Sequence, residues 1–549
     1  MRVHLNSEMK LRPPLENKHF DVLVIGGGIN GVAIARECAR AGCRTLLVEQ
    51  HDFAAGTTSR STRIIHGGLR YLEHGDIGQV RESLRERRWL LQRYPHLVHP
   101  LKFLLALDGN SRRSALAVRV GLWLYQTMGS ASLPTHDSQT EEKKLEQLLD
   151  AGRRFSVFNF DDAQCEFPER LVAEWLVDAM AAGAIARNHT QVLAVDIRNG
   201  RAIGALLRDQ LSGKEERVEA SWIINATGPW ADNICQSSNI RTDSPMVGGV
   251  RGSHIVLPKF TGAPDAAVYT EAIDGRPIFV IPWNEQVLVG TTEVADGGDP
   301  GQVRSSAEEI NYLLGSLRRL FPNLQTSRDD IHYAFAGVRP LPYSPKNSPS
   351  DVTRKHYFHD HAAEGAGQMI SVIGGKLTTA GSLARECVAK IGARISTSTL
   401  TVASGTNADL AMERWVLDVA EAGGIAVDTA HNIVEWYGKR ALAVAHVARR
   451  SAEMRAQLCP HTRHIVAEAA DAFNNECACT LADVLLRRVP VALGACWSSS
   501  CSREAATRIG AAMAWSETRV ALDLEVFERE RDGFLQKASQ AGTIVEAKA

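Results

Sequence analysis

No stretch of this chain approaches 18 uninterrupted apolar residues, so no membrane-spanning helix is expected. Charge of one sign is missing too. Lys and Arg number 62 against 63 Asp and Glu, a net charge of −1, which excludes a globally basic nucleic-acid binder and leaves only local patches. There is no internal repeat and no low-complexity tract. The first twenty residues lack an apolar core. They hold Arg2, Lys10, Arg12 and Lys18 around Pro13 and Pro14 and do not read as a signal peptide. The ten cysteines are therefore expected to be reduced thiols in a cytoplasmic protein. What the chain does have is length, 549 residues that are 44% hydrophobic and 23% charged. That allows about three or four packed units, or two large interleaved ones.

The first strongly patterned segment begins at Asp21. Val22-Leu23-Val24-Ile25 reads as a strand buried on both faces. Gly26 to Gly31 follows, then an alanine-rich helix over 32–41 stopped by Gly42, then a second β-rich run from Arg44 to Val48 that ends at Glu49. This βαβ unit places Gly26-x-Gly28-x-x-Gly31 where a dinucleotide fingerprint needs it. The first glycine permits the turn, the second lets backbone approach a diphosphate, and the third lets helix close on strand. The diphosphate would lie at the helix N-terminus, and Glu49, 18 residues after Gly31, can bond a ribose hydroxyl.

Either NAD or FAD would satisfy that unit. Two later segments favour FAD. Trp222 to Gly228, with Thr227 and Gly228 in its final turn, is a buried strand that lets backbone pass beside the dinucleotide. Ile373-Gly374-Gly375-Lys376-Leu377-Thr378-Thr379 is a second glycine turn, expected to open a helix near 377 whose N-terminus faces the flavin edge where negative charge collects on reduction.

The blocks GGGINGVAIARECARAG, STRIIHGGLRYLEHGDIGQVRESLRERRWLL, INATGPWAD, RGSHIVLP, VLVGTTE, FAGVRPL and ISVIGGKLTT occur in order between about residues 20 and 385. Together they resemble the FAD-dependent, aerobic respiratory glycerol-3-phosphate dehydrogenases. The resemblance continues more weakly through Cys459-Pro460 and LADVLLRR at 481–488. It implies FAD as cofactor and hydride transfer from C2 of sn-glycerol 3-phosphate to the flavin, giving dihydroxyacetone phosphate. It also implies a membrane quinone as electron acceptor, and a place on the inner face of the cytoplasmic membrane, on the cytoplasmic side and peripheral.

Motif by motif, the resemblance carries cationic positions onto Arg70, Arg339, Arg354 and Lys376, suited to a phosphate dianion. His66 is expected to be the base for the C2 hydroxyl, with His254 second and open to a reading as a buried strand histidine. Tyr71 either bonds substrate or packs. The chain departs from the family pattern at Glu293 (GTTE for GTTD), at Lys355 (TRK for TRD), at Ala380-Gly381 after Thr379, and at CEFPER before Leu171. These changes put substrate identity in more doubt than chemistry.

Two constellations stay outside that frame. Cys477-x-Cys479 with Cys459, His461 and His464 invites a metal, but it lacks a two-residue cysteine knuckle and reads as helical, so no metal is expected. Arg81 to Tyr125 carries nine basic residues against three acidic ones, interleaved with Trp89, Trp123 and leucines. It is either a surface for an anionic bilayer or a solvated arginine helix on the core.

The expected fold is α/β: a discontinuous Rossmann-like FAD-binding domain, a mixed-sheet substrate cap and a C-terminal all-α domain. Residues 1–395 hold the flavin part (about 18–80, 190–245, 340–395) and the cap (about 81–189, 246–339). A Ser/Thr-rich linker at 395–409 leads to the helical domain at 410–549. A homodimer is left open, and no nucleic-acid partner is expected. Three rivals also remain open: a same-fold enzyme for a hydroxy or amino acid, one handing electrons to oxygen, and a non-catalytic flavin redox sensor.

Overall fold

The computed structural model describes residues 15–69, 75–109, 111, 113–129, 138–346, 352–393 and 408–538. The apolar run at 22–25 lies in the strand His19–Ile25, paired in parallel with Thr45–Val48 on one side and Glu215–Asn225 on the other. Five parallel strands form the centre of an eight-stranded sheet, in the order Met369–Ile373, Glu215–Asn225, His19–Ile25, Thr45–Val48, Ile185–Arg187. Tyr357–Asp360 closes one edge antiparallel, and the hairpin Thr190–Arg198/Arg201–Asp209 attaches to Glu215–Asn225.

The helix Ile29–Arg40 is so rich in small residues that Gly31 to Ala39 are all buried. It packs between Pro168–Ala181 and Ala380–Lys390, where Val32 and Ala35 share one core with Leu171, Leu176, Leu383 and Ala384. A second, nine-stranded sheet stands beside the first. In it Val247–Pro258 pairs with Tyr333–Pro342 over ten residues, and His99–Asp108 pairs with Phe155–Gln164.

The chain crosses between the sheets more often than the expected boundaries allow. Ile185–Arg187 and the helix before it, placed with the cap by sequence, pack on the nucleotide side because the strand extends the parallel ladder from Thr45–Val48. Ile64–Ile65, placed with the flavin part, pairs with Phe155–Gln164 in the other sheet. The cap segment expected at about 246–339 as part of a mixed sheet also holds the helix Ala307–Leu320, started by a reciprocal capping box of Ser306 and Glu309. The helix expected near 377 begins at Ala380, after a turn over 377–379.

The linker expected at 395–409 lies outside the described residues up to 407. Beyond it the chain is helical, as expected, but it does not stand apart. Leu481, Leu485, Ile509 and Phe534 share a core with Trp283, Tyr333 and Phe335 of the second sheet. Buried ion pairs add to the seam: Arg488 to Asp52 at 2.8 Å and Arg170 to Glu476 at 2.5 Å. Among the described residues no helix is long and apolar enough to cross a membrane.

Candidate active site

A cavity of about 740 Å³ runs along the C-terminal ends of the parallel strands, and Gly26, Gly28, Glu49, Thr227, Gly228, Gly374, Gly375 and Leu377 line it. The glycines are there for close approach. Gly26 has φ +105, and a Cβ on it would sit 2.6 Å from the Ala226 carbonyl oxygen. A Cβ on Gly31 would lie 1.8 Å from the Gly26 carbonyl oxygen, so Gly31 seals helix to strand behind the cleft. Gly28 faces the cleft itself, with only Thr58 Oγ1 near its absent Cβ, at 3.3 Å. Glu49 accepts from the Gly27 amide at 2.7 Å and from the His51 amide at 2.9 Å, bracing the loop while lining the cavity. Gly375, φ +96, brings the second glycine turn against Asn30. Asn30 lines the cleft, and its buried Oδ1 has no partner among the described residues. An elongated cleft, a helix N-terminus opening on it and backbone stripped of Cβ atoms along it fit a dinucleotide.

A second cavity, about 530 Å³, joins the first through Arg60, Pro340 and the turn Gly375-Lys376-Leu377. Its walls bring together His66, His254, Arg339, Arg354, Lys376 and Thr378, although the sequence spreads them over some 310 positions. Arg70 and Tyr71 lie outside the described residues. Strand register explains part of this convergence. His254 and Arg339 sit on adjacent antiparallel strands, where Val250 faces Arg339 and His254 faces Phe335.

Each cation is held by an uncharged or acidic neighbour. Arg339 donates to Thr291 Oγ1 at 3.0 Å and to the Thr292 carbonyl at 3.3 Å. Arg354 is ion-paired with Glu293. Lys376 Nζ donates to Gln79 Oε1 at 2.7 Å. Burial, with Arg354 adding to it against Glu82, brings Lys376 down to about 8. Burial, then Lys376, Arg354 and Arg87, pushes His66 down to about 3, so its imidazole is neutral at physiological pH. His254 is likewise lowered to about 3, by burial and then Arg339 and Arg63. Its Nε2 pairs with Thr62 Oγ1 at 3.0 Å and its ring stacks on Phe335 at 4.9 Å.

Sequence reasoning missed three lining residues. Arg60 spans both cavities, donates to the Ala55 carbonyl at 2.6 Å and lies over the Phe534 ring at 5.0 Å. Its place in SRSTR, just before the His66 motif, was a usable signal. Arg276 reaches the cavity from a hairpin and donates to the Glu293 carbonyl at 2.9 Å, and no motif marks it. Gln79 follows from the helix beginning at Ile77. Of the departures, Glu293 acts inside the cavity by pairing with Arg354, Lys355 is exposed, and Ala380 is buried at its helix start.

The suggested cysteine group does not assemble as grouped. Cys477 (φ +58) and Cys479 lie in a loop, not a helix, against Met180 and Asn188. His464 bonds Glu468 at 2.8 Å, while Cys459 and His461 meet Cys501 instead.

A glycine-cradled dinucleotide cleft opening into a cationic pocket with two neutral histidines defines the class: a flavin-dependent oxidoreductase. The comparisons narrow it. The model of the FAD-dependent oxidoreductase family matches residues 21–380, and that of the C-terminal domain of alpha-glycerophosphate oxidase matches 373–520. The chain belongs to the FAD-dependent oxidoreductase family, and its cofactor is FAD. It is 36% identical over 513 residues to a glycerol-3-phosphate dehydrogenase of Synechocystis sp., covering 88% of this chain and 91% of that one. It is also 36% identical over 371 residues to the D-erythritol 1-phosphate dehydrogenase of Brucella abortus, covering 67% and 73%. The solved glycerol-3-phosphate dehydrogenase of Bacillus halodurans, complexed with FAD, superimposes with TM-score 0.73 at 23% identity, over 94% of this chain and 95% of that one.

Proposed function

We propose that this enzyme oxidises sn-glycerol 3-phosphate to dihydroxyacetone phosphate and passes the electrons to a membrane quinone. One observation carries the reading: Arg339, Arg354 and Lys376 converge with His66 on a cavity that opens directly into the dinucleotide cleft. A dianion losing its hydration in such a pocket needs fixed cations, and forked guanidinium donors suit phosphate oxygens. In this reading Arg339, Arg354 and Lys376 hold the phosphate, with Arg70 and Tyr71 assigned beside them on their motif. His66, uncharged near neutrality, takes the C2 hydroxyl proton on an imidazole nitrogen. His254, tied to Thr62, orients substrate. Bound FAD, held along Gly26, Gly28, Glu49, Thr227, Gly228, Gly374, Gly375, Leu377 and Thr378, supplies the hydride acceptor.

The names of the relatives support a polyol phosphate substrate. Since one of them is named for D-erythritol 1-phosphate, a four-carbon polyol phosphate is the second reading. Residues 1–395 then form the flavin and substrate unit and 410–549 the helical unit, with the shared core between them.

Peripheral docking on the inner face of the cytoplasmic membrane, where the quinone lies, is supported by the helix Ala115–Gly129. Its Leu116 (72% exposed), Val120, Trp123 (65%) and Leu124 project outward beside Arg119. Anaerobic mixing of the holoenzyme with glycerol 3-phosphate, erythritol phosphate, hydroxy acids and amino acids, followed by loss of flavin absorbance, tests the substrate. The expected result is bleaching by glycerol 3-phosphate. Bleaching only by a carboxylate substrate would overturn it.

A further inference from the structure

Away from the flavin, three side chains from two distant segments meet in the helical part of the molecule. Cys459 and His461 lie in a loop whose backbone is closed by Leu458 donating to the His464 carbonyl at 2.9 Å. Cys501 lies in the first turn of the helix Ser499–Ala512, its amide bonded to the Ser498 cap. The Cys459 thiol, the Cys501 thiol and a His461 ring nitrogen all lie within 4.8 Å of one another. His461 Nδ1 is 3.4 Å from Cys501 Sγ.

Two thiols and an imidazole at those separations match three corners of a tetrahedron around one ion. For bond lengths of about 2.3 Å to sulfur and about 2.0–2.1 Å to nitrogen, the edges are about 3.5–3.8 Å. A fourth donor of the same kind is close in the chain. Cys496 is exposed, and its carbonyl accepts from the Cys501 thiol at 3.7 Å, while its own thiol stands outside the group of three. The sequence pattern is thus C-x-H followed by C-x₄-C.

Other groupings of potential ligands differ in kind. Asp52, His189 and Asp483 also come together, but Arg487 and Arg488 already neutralise the two carboxylates. His359 and His361 are taken up by Glu364 and Ser371. In the cysteine group the donors are soft, two of the three are buried, and one side is open to solvent through His461. Thiolate and imidazole ligands in tetrahedral array select zinc over harder cations.

We propose that Cys459, His461 and Cys501, completed by Cys496, bind one Zn²⁺ that ties the 457–465 loop to the start of the helix Ser499–Ala512. Binding releases the thiol protons and changes no oxidation state. With the exposed Cys496 thiol turned in as the fourth ligand the site would be closed and structural, and it lies on a different set of residues from the flavin and substrate cavities.

Untagged, full-length holoenzyme purified under thiol-reducing conditions should contain about one zinc per chain by elemental analysis. Zinc should fall below about a tenth of that in Cys501→Ser and in His461→Ala. His461 is exposed, so its variant is expected to fold, and unchanged FAD content checks that it has. Cobalt(II) loaded into metal-stripped enzyme should give the thiolate charge-transfer and visible bands of a tetrahedral site, and His461→Ala should weaken them. Three results would each overturn the proposal: wild-type enzyme that neither holds zinc nor gives a cobalt spectrum, variants that retain zinc at the wild-type level, or a Cys459–Cys501 disulfide in metal-free native enzyme by mass spectrometry.

Discussion

Lys376 carries its proton at neutral pH and gives it up within the range in which enzymes are assayed, because burial brings it down to about 8. Below that value the cavity holds one more positive charge for a phosphate; above it that charge is gone. The dependence of kcat/KM on pH, which reports groups of the free enzyme, should therefore show an alkaline limb near 8. Lys376→Arg should move that limb well upward, since a guanidinium stays charged. A limb that persists at 8 in the variant would assign it elsewhere. His66 behaves differently. Burial and the neighbouring cations keep its ring unprotonated at assay pH but also weaken it as a base, so the proposed role requires a bound phosphate dianion to offset Lys376 and Arg354 before the proton moves. His66→Ala should slow flavin reduction by about 10²–10⁴-fold with substrate binding largely kept, as rapid mixing will show. In the cofactor cleft, Gly28→Val should place methyl groups where the diphosphate passes, and the folded protein should be colourless. Stoichiometric FAD in that variant would contradict the placement.

The helix Ala115–Gly129 turns Leu116, Val120 and Trp123 to solvent on its outer face. If it is the proposed docking face, each large apolar side chain fully removed from water there would contribute about 1.5–3 kcal/mol before the cost of association. Leu116→Glu with Trp123→Glu should shift the enzyme from sedimenting with anionic vesicles to the supernatant, while turnover with a soluble dye is unchanged. Equal sedimentation of the double variant would move the docking surface elsewhere. Elements were legible where their signals were local. The run at 22–25, the glycine fingerprint and the strand ending at Asn225 stand where periodicity and glycine spacing put them. The helix Ala307–Leu320 was overlooked inside a strand-rich region, although Ser306-x-x-Glu309 announces it. The helix after Thr379 starts three residues later than expected, after a turn in which Leu377 and Thr378 line the cavity. Arg81–Tyr125 mixed two readings: Arg87 is buried on Asp162, whereas Arg119 stays at the surface.

Across the whole molecule the helical part is bound to the nucleotide sheet by buried charge. Asp52 accepts from Arg488 at 2.8 Å and Arg487 at 2.5 Å, with Asn188 at 2.8 Å. Asp52→Ala would leave two buried guanidinium groups without that partner and should cost about 3–5 kcal/mol, read as a lower unfolding midpoint. Glu476 shows the pH sense of this seam. Burial alone would raise it, but Arg170 and Arg440 outweigh burial and bring it to about 2. Its stabilisation is thus full above the ordinary 4.5 and is lost only as pH falls toward 2. None of these pairs was visible in the sequence, because residues 52 and 488 or 170 and 476 carry no mutual pattern. The cavity was legible only through motifs: His66, His254, Arg339, Arg354 and Lys376 each sit in one, whereas Arg276 reaches the same space with none. The claim that these cations hold a phosphate is most directly tested by the flavin bleach of Arg339→Ala as glycerol 3-phosphate is varied. Truncating a charged hydrogen-bonding partner costs on the order of 2–5 kcal/mol, so half-saturation should rise roughly 30-fold or more. The response to glycerol, which has no phosphate, should barely move. Unchanged half-saturation for glycerol 3-phosphate would contradict the account.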